Sequence, residues 1–329
     1  MESPSKVSEP QASFADPILV TGCAGFIGAR TCEMLCEQGH RVVGIDNLND
    51  YYSVSLKKHR LEQLQNKSGF EFHKMDIEDA IDVDSLYAKY RFECVINLAA
   101  RAGVRYSMEN PAIYMRTNSM GTMNLLEAMR HHGGKKFVLA STSSLYAGLP
   151  MPFTEDLPVN TPISPYAASK KSAEAMAYTY HYLYDIDVTI LRYFTVYGPA
   201  DRPDMAIHRF IKNILTDRPI KIFGDGSAAR DFTYIDDVAR GTIAAMRPLG
   251  HEIINLGGGG SPIRIDSIIE LIEEICGTPA KLEYRDPFAA DMQATRANID
   301  KAEQTLEWCP TVQMREGLES SVAWHQENT

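Results

Sequence analysis

Residues 18–28 read ILVTGCAGFIG, an apolar run that leads into three glycines spaced three residues apart. The run 18–20 predicts a buried β-strand and the residues after the last glycine predict a helix, so the glycines occupy the turn between them. Glycine lets the backbone turn tightly and lets a pyrophosphate approach the amides at the helix N-terminus. Because Gly22, Gly25 and Gly28 lie between a strand and a helix, the stretch predicts a dinucleotide-binding turn, although its spacing is GxxGxxG and not GxGxxG.

Short apolar runs recur along the first half of the chain, separated by segments long enough for helices. The predicted strands are residues 41–45, 94–98, 137–140 and 188–191, and the longest predicted helices are 118–130 and 166–184. This alternation predicts an α/β fold, a Rossmann-like doubly wound parallel sheet. Beyond Pro199 the elements are shorter and punctuated by Gly and Pro, which predicts a smaller C-terminal α/β substrate lobe. We expect a flexible tail over 1–16, a dinucleotide-binding domain over 17–198 with chain crossings to the second lobe, and mainly the substrate lobe over 199–329.

The composition excludes several classes of protein. The 329 residues are 44% hydrophobic and 23% charged, which is typical of a globular protein with a buried core. The 43 acidic and 33 basic residues give a net charge of −10 without a basic stripe, so we expect neither nucleic acid nor a membrane as a partner. The six cysteines show no CxxC and no pairing with spaced histidines, which predicts no metal site and is typical of the reducing cytoplasm.

Two carboxylates follow predicted strands near the glycine turn. Asp46 ends the second strand, 18 residues beyond Gly28. A carboxylate there accepts hydrogen bonds from an adenosine ribose and repels a 2′-phosphate, so the sequence predicts NAD and not NADP as the cofactor. Asp76, at the end of the next run, is placed to reach the adenine or to serve as an ordinary turn residue.

A tyrosine and a lysine form a second candidate constellation. Tyr166 and Lys170 are four residues apart and therefore share one face of a predicted helix. A nearby cation favours the phenolate, so we expect the pKa of Tyr166 to fall from ~10 toward neutrality. Such a tyrosine can take a proton from a sugar hydroxyl and return it. The cluster at residues 141–144, STSS, ends another predicted strand and supplies a hydroxyl to the same substrate oxygen.

The GxxGxxG turn, the segment 118–122 (NSMGT), the STSS cluster and YxxxK together resemble the extended short-chain dehydrogenase/reductase family, over about residues 18–324. The resemblance implies that Thr142, Tyr166 and Lys170 are catalytic, and that Asn118 lies in the helix beside the site. It also implies a homodimer that pairs through the helices carrying Asn118 and Tyr166, where an alanine-rich run permits close approach. The cofactor-binding positions that it implies are Gly22, Gly25, Phe26, Ile27, Gly28, Asp46, Asn47, Asp76, Ile77, Leu98, Ala99, Ala100, Asn118, Tyr166, Lys170 and Tyr193.

Within that family the chain resembles the UDP-glucuronate 4-epimerase branch. The segments that carry this likeness are residues 46–52 (DNLNDYY), 101–107 (RAGVRYS) and 195–205 (TVYGPADRPDM). The resemblance implies interconversion of UDP-glucuronate and UDP-galacturonate through a 4-keto sugar, with Thr195 and Arg202 at the sugar carboxylate. An arginine fork suits that role because it binds a carboxylate with two parallel hydrogen bonds.

The nucleotide end of the substrate is assigned by the same resemblance. It implies that Arg230 binds the UDP phosphates, that Phe223 packs on the uracil and that Asp291 contacts its ribose. It also implies that Arg105, Thr142, Ser143 and Ser144 are substrate-binding. The chain departs from the branch at residues 296–298 (RAN), and it has Asn97 and Arg101 in place of the usual His and Gln.

Two other activities stay open from the sequence. Neutral UDP-hexose 4-epimerases do not need Arg202, and they typically have Asn where Thr195 stands. UDP-glucuronate decarboxylases carry a Glu beside the catalytic threonine, and dehydratases an Asp-Glu pair, whereas this chain has Ser143 and Ser144, which are not strong acids or bases. A chain that binds NAD without turnover is the alternative outside enzymes, and retention of both Tyr166 and Lys170 disfavours it.

Overall fold

The computed structural model describes residues 16–286 and 292–328. Its strands are β1 (Ile18–Thr21), β2 (Val42–Asp46), β3 (Phe70–Lys74), β4 (Cys94–Asn97), β5 (Lys136–Thr142), β6 (Asp187–Tyr193), β7 (Thr195–Tyr197), β8 (Ile220–Phe223), β9 (Ala229–Arg230), β10 (Phe232–Tyr234), β11 (His251–Leu256), β12 (Ile263–Arg264) and β13 (Leu282–Arg285). Its α-helices are α1 (Phe26–Glu37), α2 (Val54–Gln65), α3 (Ala80–Lys89), α4 (Val104–Glu109), α5 (Pro111–Tyr114), α6 (Gly121–His132), α7 (Pro165–Tyr184), α8 (Ala206–Leu215), α9 (Ile235–Ala244), α10 (Ile265–Cys276), α11 (Asp300–Leu306) and α12 (Met314–Asn328). None of the helices in these described ranges is long and apolar enough to cross a membrane.

The central sheet is parallel and has seven strands in the order β11-β6-β5-β4-β1-β2-β3. The strands β1, β2, β4 and β5 are buried along their whole length, because helices cover both faces of the sheet. The prediction of a doubly wound α/β fold is confirmed. The strand order reverses between β1 and β4, and in such sheets the carboxyl ends of the strands on either side of this point form the ligand crevice.

The second lobe is built from short elements. Its three two-stranded pairs are β7 with β10, β8 with β13 and β9 with β12. The chain returns from this lobe to the large one, since β11 pairs with β6 at the edge of the central sheet. Helix α9 also belongs beside the large lobe, where Asp236 accepts two hydrogen bonds from Arg30 of α1, at 2.7 and 3.0 Å. The elements α9 and β11 therefore pack with the large lobe, although they follow the beginning of the smaller lobe along the chain.

A buried ion pair fixes the long helix α7 against the sheet. Arg192 of β6 donates from Nε and Nη2 to the two oxygens of Glu174, both at 2.9 Å, and each side chain is almost fully buried. Ser141 of β5 donates to Glu174 Oε1 at 2.7 Å. A shift of α7 along the sheet would separate Glu174 from Arg192 and leave an uncompensated buried charge, which is costly. The triad therefore fixes the position of the helix that carries the candidate catalytic residues.

Candidate active site

A cavity of about 780 Å³ lies at the carboxyl ends of the central strands, between the two lobes. Nearly all of the residues expected from the sequence line it together. They are Gly22, Gly25, Phe26, Ile27, Gly28, Asp46, Asn47, Asp76, Ile77, Leu98, Ala99, Ala100, Arg105, Thr142, Ser143, Ser144, Tyr166, Lys170, Tyr193, Thr195, Arg202, Phe223 and Arg230. Of the two others, Asn118 lies outside the lining, and Asp291 falls outside the described residues.

The glycine turn opens α1 into this cavity. Gly22 has a φ of +70°, and a Cβ there would lie 2.8 Å from the amide nitrogen of Ala99. A Cβ on Gly28 would lie 2.1 Å from the carbonyl oxygen of Gly22. Side chains at these positions would prevent the turn from packing against β4 and α1. The amides at the start of α1 are therefore free of side-chain cover, as an approaching pyrophosphate requires.

The carboxylate at the end of β2 is held in one orientation by the backbone. Asp46 accepts hydrogen bonds from the amides of Ala24 at 3.2 Å and Leu48 at 2.8 Å, on its two different oxygens. Asn47 donates to Asp76 Oδ2 at 2.7 Å, which brings the two acidic strand ends together. Each Asp46 oxygen keeps acceptor capacity toward the cavity, since a carboxylate oxygen has two lone pairs.

Tyr166 lies in the first turn of α7, after the cap formed by Ser164. The Ser164 hydroxyl accepts from the amide of Ala167 at 3.2 Å, which fixes the start of the helix. The Tyr166 hydroxyl lies close enough to Thr142, at the end of β5, for the threonine hydroxyl to act against the rise of the tyrosine pKa. One turn later the Lys170 ammonium donates to the carbonyl oxygen of Ala140 at 2.8 Å. The phenol, the threonine hydroxyl and the ammonium thus meet at the carboxyl end of β5, as the sequence predicts.

The expected fall in the pKa of Tyr166 is wrong for the ligand-free protein. Burial raises the pKa of Tyr166, and the hydrogen bond with Thr142 and the charge of Arg202 oppose that rise only in part. Burial also lowers the pKa of Lys170 to about 8, against the opposing charge of Glu174. Sequence spacing reports that two side chains share a helix face, but it does not report the desolvation that penalises both charges.

A pH-dependent stability difference should follow from Lys170. The unfolded lysine keeps its proton to about pH 10.5 and the folded one to about pH 8, so the unfolded state binds more protons between these values and wild-type stability rises with pH there. Relative to Lys170→Met, the NAD-free wild type should gain about 2 kcal/mol between pH 8 and pH 10 in urea unfolding. Lys171→Met, a change on a partly exposed neighbour, is the matched control. Parallel pH curves for wild type and Lys170→Met would contradict the prediction.

Arg202 follows β7 and lines the cavity. Its guanidinium donates from Nε and Nη2 to the two oxygens of Asp204, at 3.0 and 2.5 Å. About a fifth of the Arg202 side chain is exposed, against 42% of Asp204. Thr195, at the start of β7, also lines the cavity. The arginine fork is therefore formed and oriented, with a carboxylate of the protein on it.

The far end of the cavity joins the two lobes through an arginine and an aromatic ring. The Arg105 guanidinium lies 4.2 Å from the centre of the Phe223 ring, a cation–π contact between α4 and β8. Arg230 in β9 donates to the carbonyl oxygen of Ala229 at 2.8 Å and also lines the cavity. Two cations and one aromatic face thus stand at the end of the cavity that lies in the smaller lobe.

Asn118 lies outside the cavity lining, so its assignment to the cofactor stays a prediction. It lies in a π-helical turn, Met115–Met120, a feature that is frequent at functional sites. It accepts from the amide of Arg101 at 2.8 Å, and it donates to the carbonyl of Arg101 and to Ser169 Oγ, both at 2.9 Å. These bonds tie the loop after β4 to α7.

At two positions the chain has other residues than the usual His and Gln of the branch: Asn97, the last residue of β4, and Arg101, in the loop that follows. The two residues have different roles. Asn97 lies outside the cavity lining and is bonded to Thr21 at 2.7 Å and to Thr122 at 3.0 Å, so it links β1, β4 and α6. Arg101 lines the cavity and donates to Asn49 Oδ1 at 3.2 Å.

Sequence reasoning missed several residues of the segment that follows β2. Tyr51 donates to the carbonyl oxygen of Ala102 at 2.6 Å, and Lys57 donates to the carbonyl oxygen of Asn49 at 2.8 Å. Tyr51, Asn49 and Lys57 all line the cavity. The available signal was the concentration of aromatic and amide side chains directly after a strand that ends at the crevice.

This doubly wound sheet, with a glycine turn, a carboxylate after β2 and a Thr–Tyr–Lys set after β5, defines an extended short-chain dehydrogenase/reductase. Residues 18–257 match the model of the NAD dependent epimerase/dehydratase family, and the chain belongs to that family. It is 56% identical over 310 residues to a UDP-glucuronate 4-epimerase of Thermodesulfobacterium geofontis, covering 94% of this chain and 96% of the relative.

Two solved structures extend the comparison. The UDP-glucuronic acid 4-epimerase of Bacillus cereus, in complex with UDP-glucuronic acid and NAD, is 40% identical with a TM-score of 0.90, covering 95% of this chain and 100% of that one. The UDP-glucose 4-epimerase of Thermotoga maritima, with UDP-glucose, is 32% identical with a TM-score of 0.87, covering 95% of this chain and 99% of that one.

Proposed function

We propose that this protein is an NAD-dependent 4-epimerase that interconverts UDP-glucuronate and UDP-galacturonate through a transient 4-keto sugar. The observation that carries the proposal is the convergence of Tyr166, Thr142 and Arg202 on one cavity, near enough for the charge of Arg202 to lower the pKa of Tyr166. An acid–base pair at a hydroxyl and a fork for a carboxylate, in one cavity, match the C4 and C5 substituents of a uronate.

The cradle at the start of α1 fits a dinucleotide. Gly22, Gly25 and Gly28 leave the turn without side chains, and Asp46 presents a fixed acceptor that favours a ribose 2′-hydroxyl. We assign the NAD-binding role to residues 17–198 together with α9 and β11, and the UDP-sugar to residues 199–329 outside them. When bound, NAD⁺ takes the C4 hydride and returns it, so there is no net oxidation.

The residues of α7 and β5 move the proton. Tyr166 removes the proton of the C4 hydroxyl and later returns it, and the Thr142 hydroxyl hydrogen-bonds the same oxygen. Lys170, one helical turn beyond Tyr166 and held at the carbonyl of Ala140, is the cation that we assign to favouring the phenolate during the reaction. Ser143 and Ser144 offer hydroxyls only, so the site has no group there to expel water from the sugar.

Arg202 and Thr195 act on the carboxylate. The 4-keto sugar is a β-keto acid, which loses CO₂ when the bond to its carboxylate aligns with the carbonyl π system. A bidentate arginine holds the carboxylate plane away from that alignment and compensates its charge. Arg230, Arg105 and Phe223 then lie at the nucleotide end, where two cations suit a diphosphate and the aromatic face suits a base.

Incubation of the purified protein with UDP-glucuronate, without added NAD, tests the proposal by proton NMR. UDP-galacturonate without CO₂ release is the expected result, and it would also show that the protein retains its cofactor. A UDP-pentose would favour decarboxylation. No change, with NAD present in the protein, would direct the assay to neutral UDP-hexoses.

Asp204→Asn is expected to lower KM for UDP-glucuronate about 2- to 5-fold with little change in kcat. Asp204 occupies the fork that the substrate carboxylate needs, and its negative charge repels that carboxylate. The size follows from the ~0.2–1 kcal/mol of a partly exposed ion pair. Initial rates against substrate concentration check it. A higher KM would mean that Asp204 orients Arg202 for the substrate.

We also propose a cytoplasmic location, which the six free cysteines support because thiols stay reduced there.

We further propose a homodimer that pairs through α6 and α7. Exposed apolar or aromatic side chains lie on the π-helical turn that leads into α6 (Met115 and Met120) and on α7 (Tyr178 and Tyr182). Of the alanine-rich run, Ala167, Ala173 and Ala177 are fully buried against this chain's own core and cannot form the interface, whereas Ala168 is partly exposed and Ala175 is exposed.

Ala175→Arg is expected to convert a dimer into a monomer, because a long charged side chain would separate helices that meet at an alanine. Light scattering after gel filtration measures the mass. Glu62→Arg, on the exposed side of α2, is the control and should leave the mass unchanged. An unchanged mass in Ala175→Arg would place the contact elsewhere or identify a monomer.

A further inference from the structure

Three buried side chains that the proposed reaction does not use meet between the lobe helices. Asp201 comes from the loop after β7, His208 from the first turn of α8 and His325 from the last turns of α12. They are 1%, 6% and 3% exposed, and one potential ligand atom from each lies within 4.8 Å of the others. The loop that supplies Asp201 also carries Arg202.

Asp201 has one satisfied and one unsatisfied oxygen. Oδ1 lies 2.7 Å from His208 Nδ1, whereas Oδ2 is buried and has no hydrogen-bond partner among the described residues. A buried carboxylate oxygen without a partner is costly, and in native structures such an atom is normally met by a hydrogen bond or by an ion. The orphaned oxygen is therefore the observation that points to a ligand.

His325 completes the cluster. The centroid of its ring lies 4.4 Å from that of His208, and the two rings are nearly perpendicular, at 76°.

The donor set selects the kind of cation. Arg60 and Arg202 lie near Asp201, and Lys212 lies near His325, and these charges oppose every divalent cation alike. Mg²⁺ and Ca²⁺ prefer several oxygen ligands, and the cluster supplies a single carboxylate. Two imidazoles and one carboxylate are instead a ligand set of Zn²⁺ and similar ions.

We propose that Asp201, His208 and His325 form a binding site for a divalent transition metal ion of the Zn²⁺ type. Tetrahedral ligands at about 2.0–2.1 Å from the ion lie ~3.3 Å apart, so the side chains of the cluster need to shift by less than about 1–2 Å. Asp201 also borders the large cavity, from which a water molecule can supply the fourth ligand.

The ion would join two segments that are distant along the chain, residues 201–208 and the end of α12. It would tie α12 to α8 and to the loop of Arg202, and closing such long loops restricts the unfolded chain. The expectation of no metal site came from spacing alone, and spacing cannot detect ligands contributed by residues 201, 208 and 325. The proposal does not rest on the epimerase assignment, and its test uses no sugar nucleotide.

The full-length protein, treated with a chelator and dialysed, is titrated with Co²⁺ and separately with Zn²⁺. We expect about one equivalent of Co²⁺ to give the visible absorption of a tetrahedral site, and Zn²⁺ to displace it and raise Tm. Asp201→Asn and His325→Gln should each weaken binding about 100-fold or more, since loss of even an outer-sphere partner costs about 10- to 100-fold. His131→Gln, an exposed histidine on α6, is the matched control and should bind as wild type.

Two results would overturn the proposal. One is the absence of a saturable equivalent of either ion in the wild type. The other is binding that persists in His325→Gln but falls in His131→Gln, which would assign it to surface histidines. Circular dichroism of each variant verifies folding, and if Asp201→Asn is unfolded, His325→Gln alone decides the question.

Discussion

Tyr166→Phe is expected to lower kcat for UDP-glucuronate epimerisation about 10³-fold, within the ~10²- to 10⁴-fold range of general acid–base catalysis. The substitution removes one oxygen, the phenol oxygen that lies beside Thr142 in the cavity. The ring stays, and with it the edge contact with Tyr114, whose centroid is 6.0 Å away. KM should change little, because the phenol acts on the proton in the transition state.

Tyr87→Phe supplies the matched control. The Tyr87 hydroxyl is buried in the core under α3 and has no hydrogen-bond partner among the described residues, so the same chemical change there should leave kcat unaltered. NMR progress curves give kcat, and the NAD content of each purified variant shows whether the cofactor site is intact. Retention of more than about a tenth of the wild-type kcat in Tyr166→Phe would assign the base to another group.

Tyr166→Phe should also separate binding from turnover. The ring that lines the cavity stays in place, so we expect UDP-glucuronate to be bound and not converted.

Arg202→Gln is expected to reduce kcat/KM for UDP-glucuronate ~30- to 5,000-fold, which corresponds to a loss of about 2–5 kcal/mol of transition-state stabilisation. This is the cost of removing the arginine from its largely desolvated pair with the substrate carboxylate. It should also change the product. Without the fork, the bond from C5 to the carboxylate can align with the carbonyl π system. Part of the 4-keto sugar should then lose CO₂, take back the hydride at C4 and leave as a UDP-pentose.

Product analysis by NMR and released CO₂ measure this result together. Arg202→Lys should recover part of kcat/KM and less of the product fidelity, because an ammonium is a point charge and cannot fix the carboxylate plane. Arg285→Gln, an exposed arginine of β13 outside the cavity lining, is the control. If Arg202→Gln also impairs a neutral UDP-hexose equally, the arginine does not recognise the carboxylate.

The sequence was sufficient for the parts of the site that depend on neighbours in the chain. The glycine turn, Asp46 at the end of β2 and the Tyr166–Lys170 spacing on α7 are local patterns, each written within one strand–turn–helix unit. Parallel strands then bring their carboxyl ends to one edge, so the local patterns converge in the cavity without any further information. This is why almost every expected residue lines it.

The protonation and the hydrogen-bond partners of the site residues depend on burial and on distant chain segments, and only the tertiary structure decided them. Desolvation raises the pKa of Tyr166 where spacing predicted a fall, and the amide of Asn118 is consumed by Arg101 and Ser169. Likewise Asp201 meets His325 only because α12 packs beside α8. The sequence by itself determined the fold and the identity of the chemical groups, because periodicity and turn chemistry act over a few residues. Their protonation, their partners and their accessibility were decided in three dimensions, because the field at a side chain is set by whatever the fold places around it.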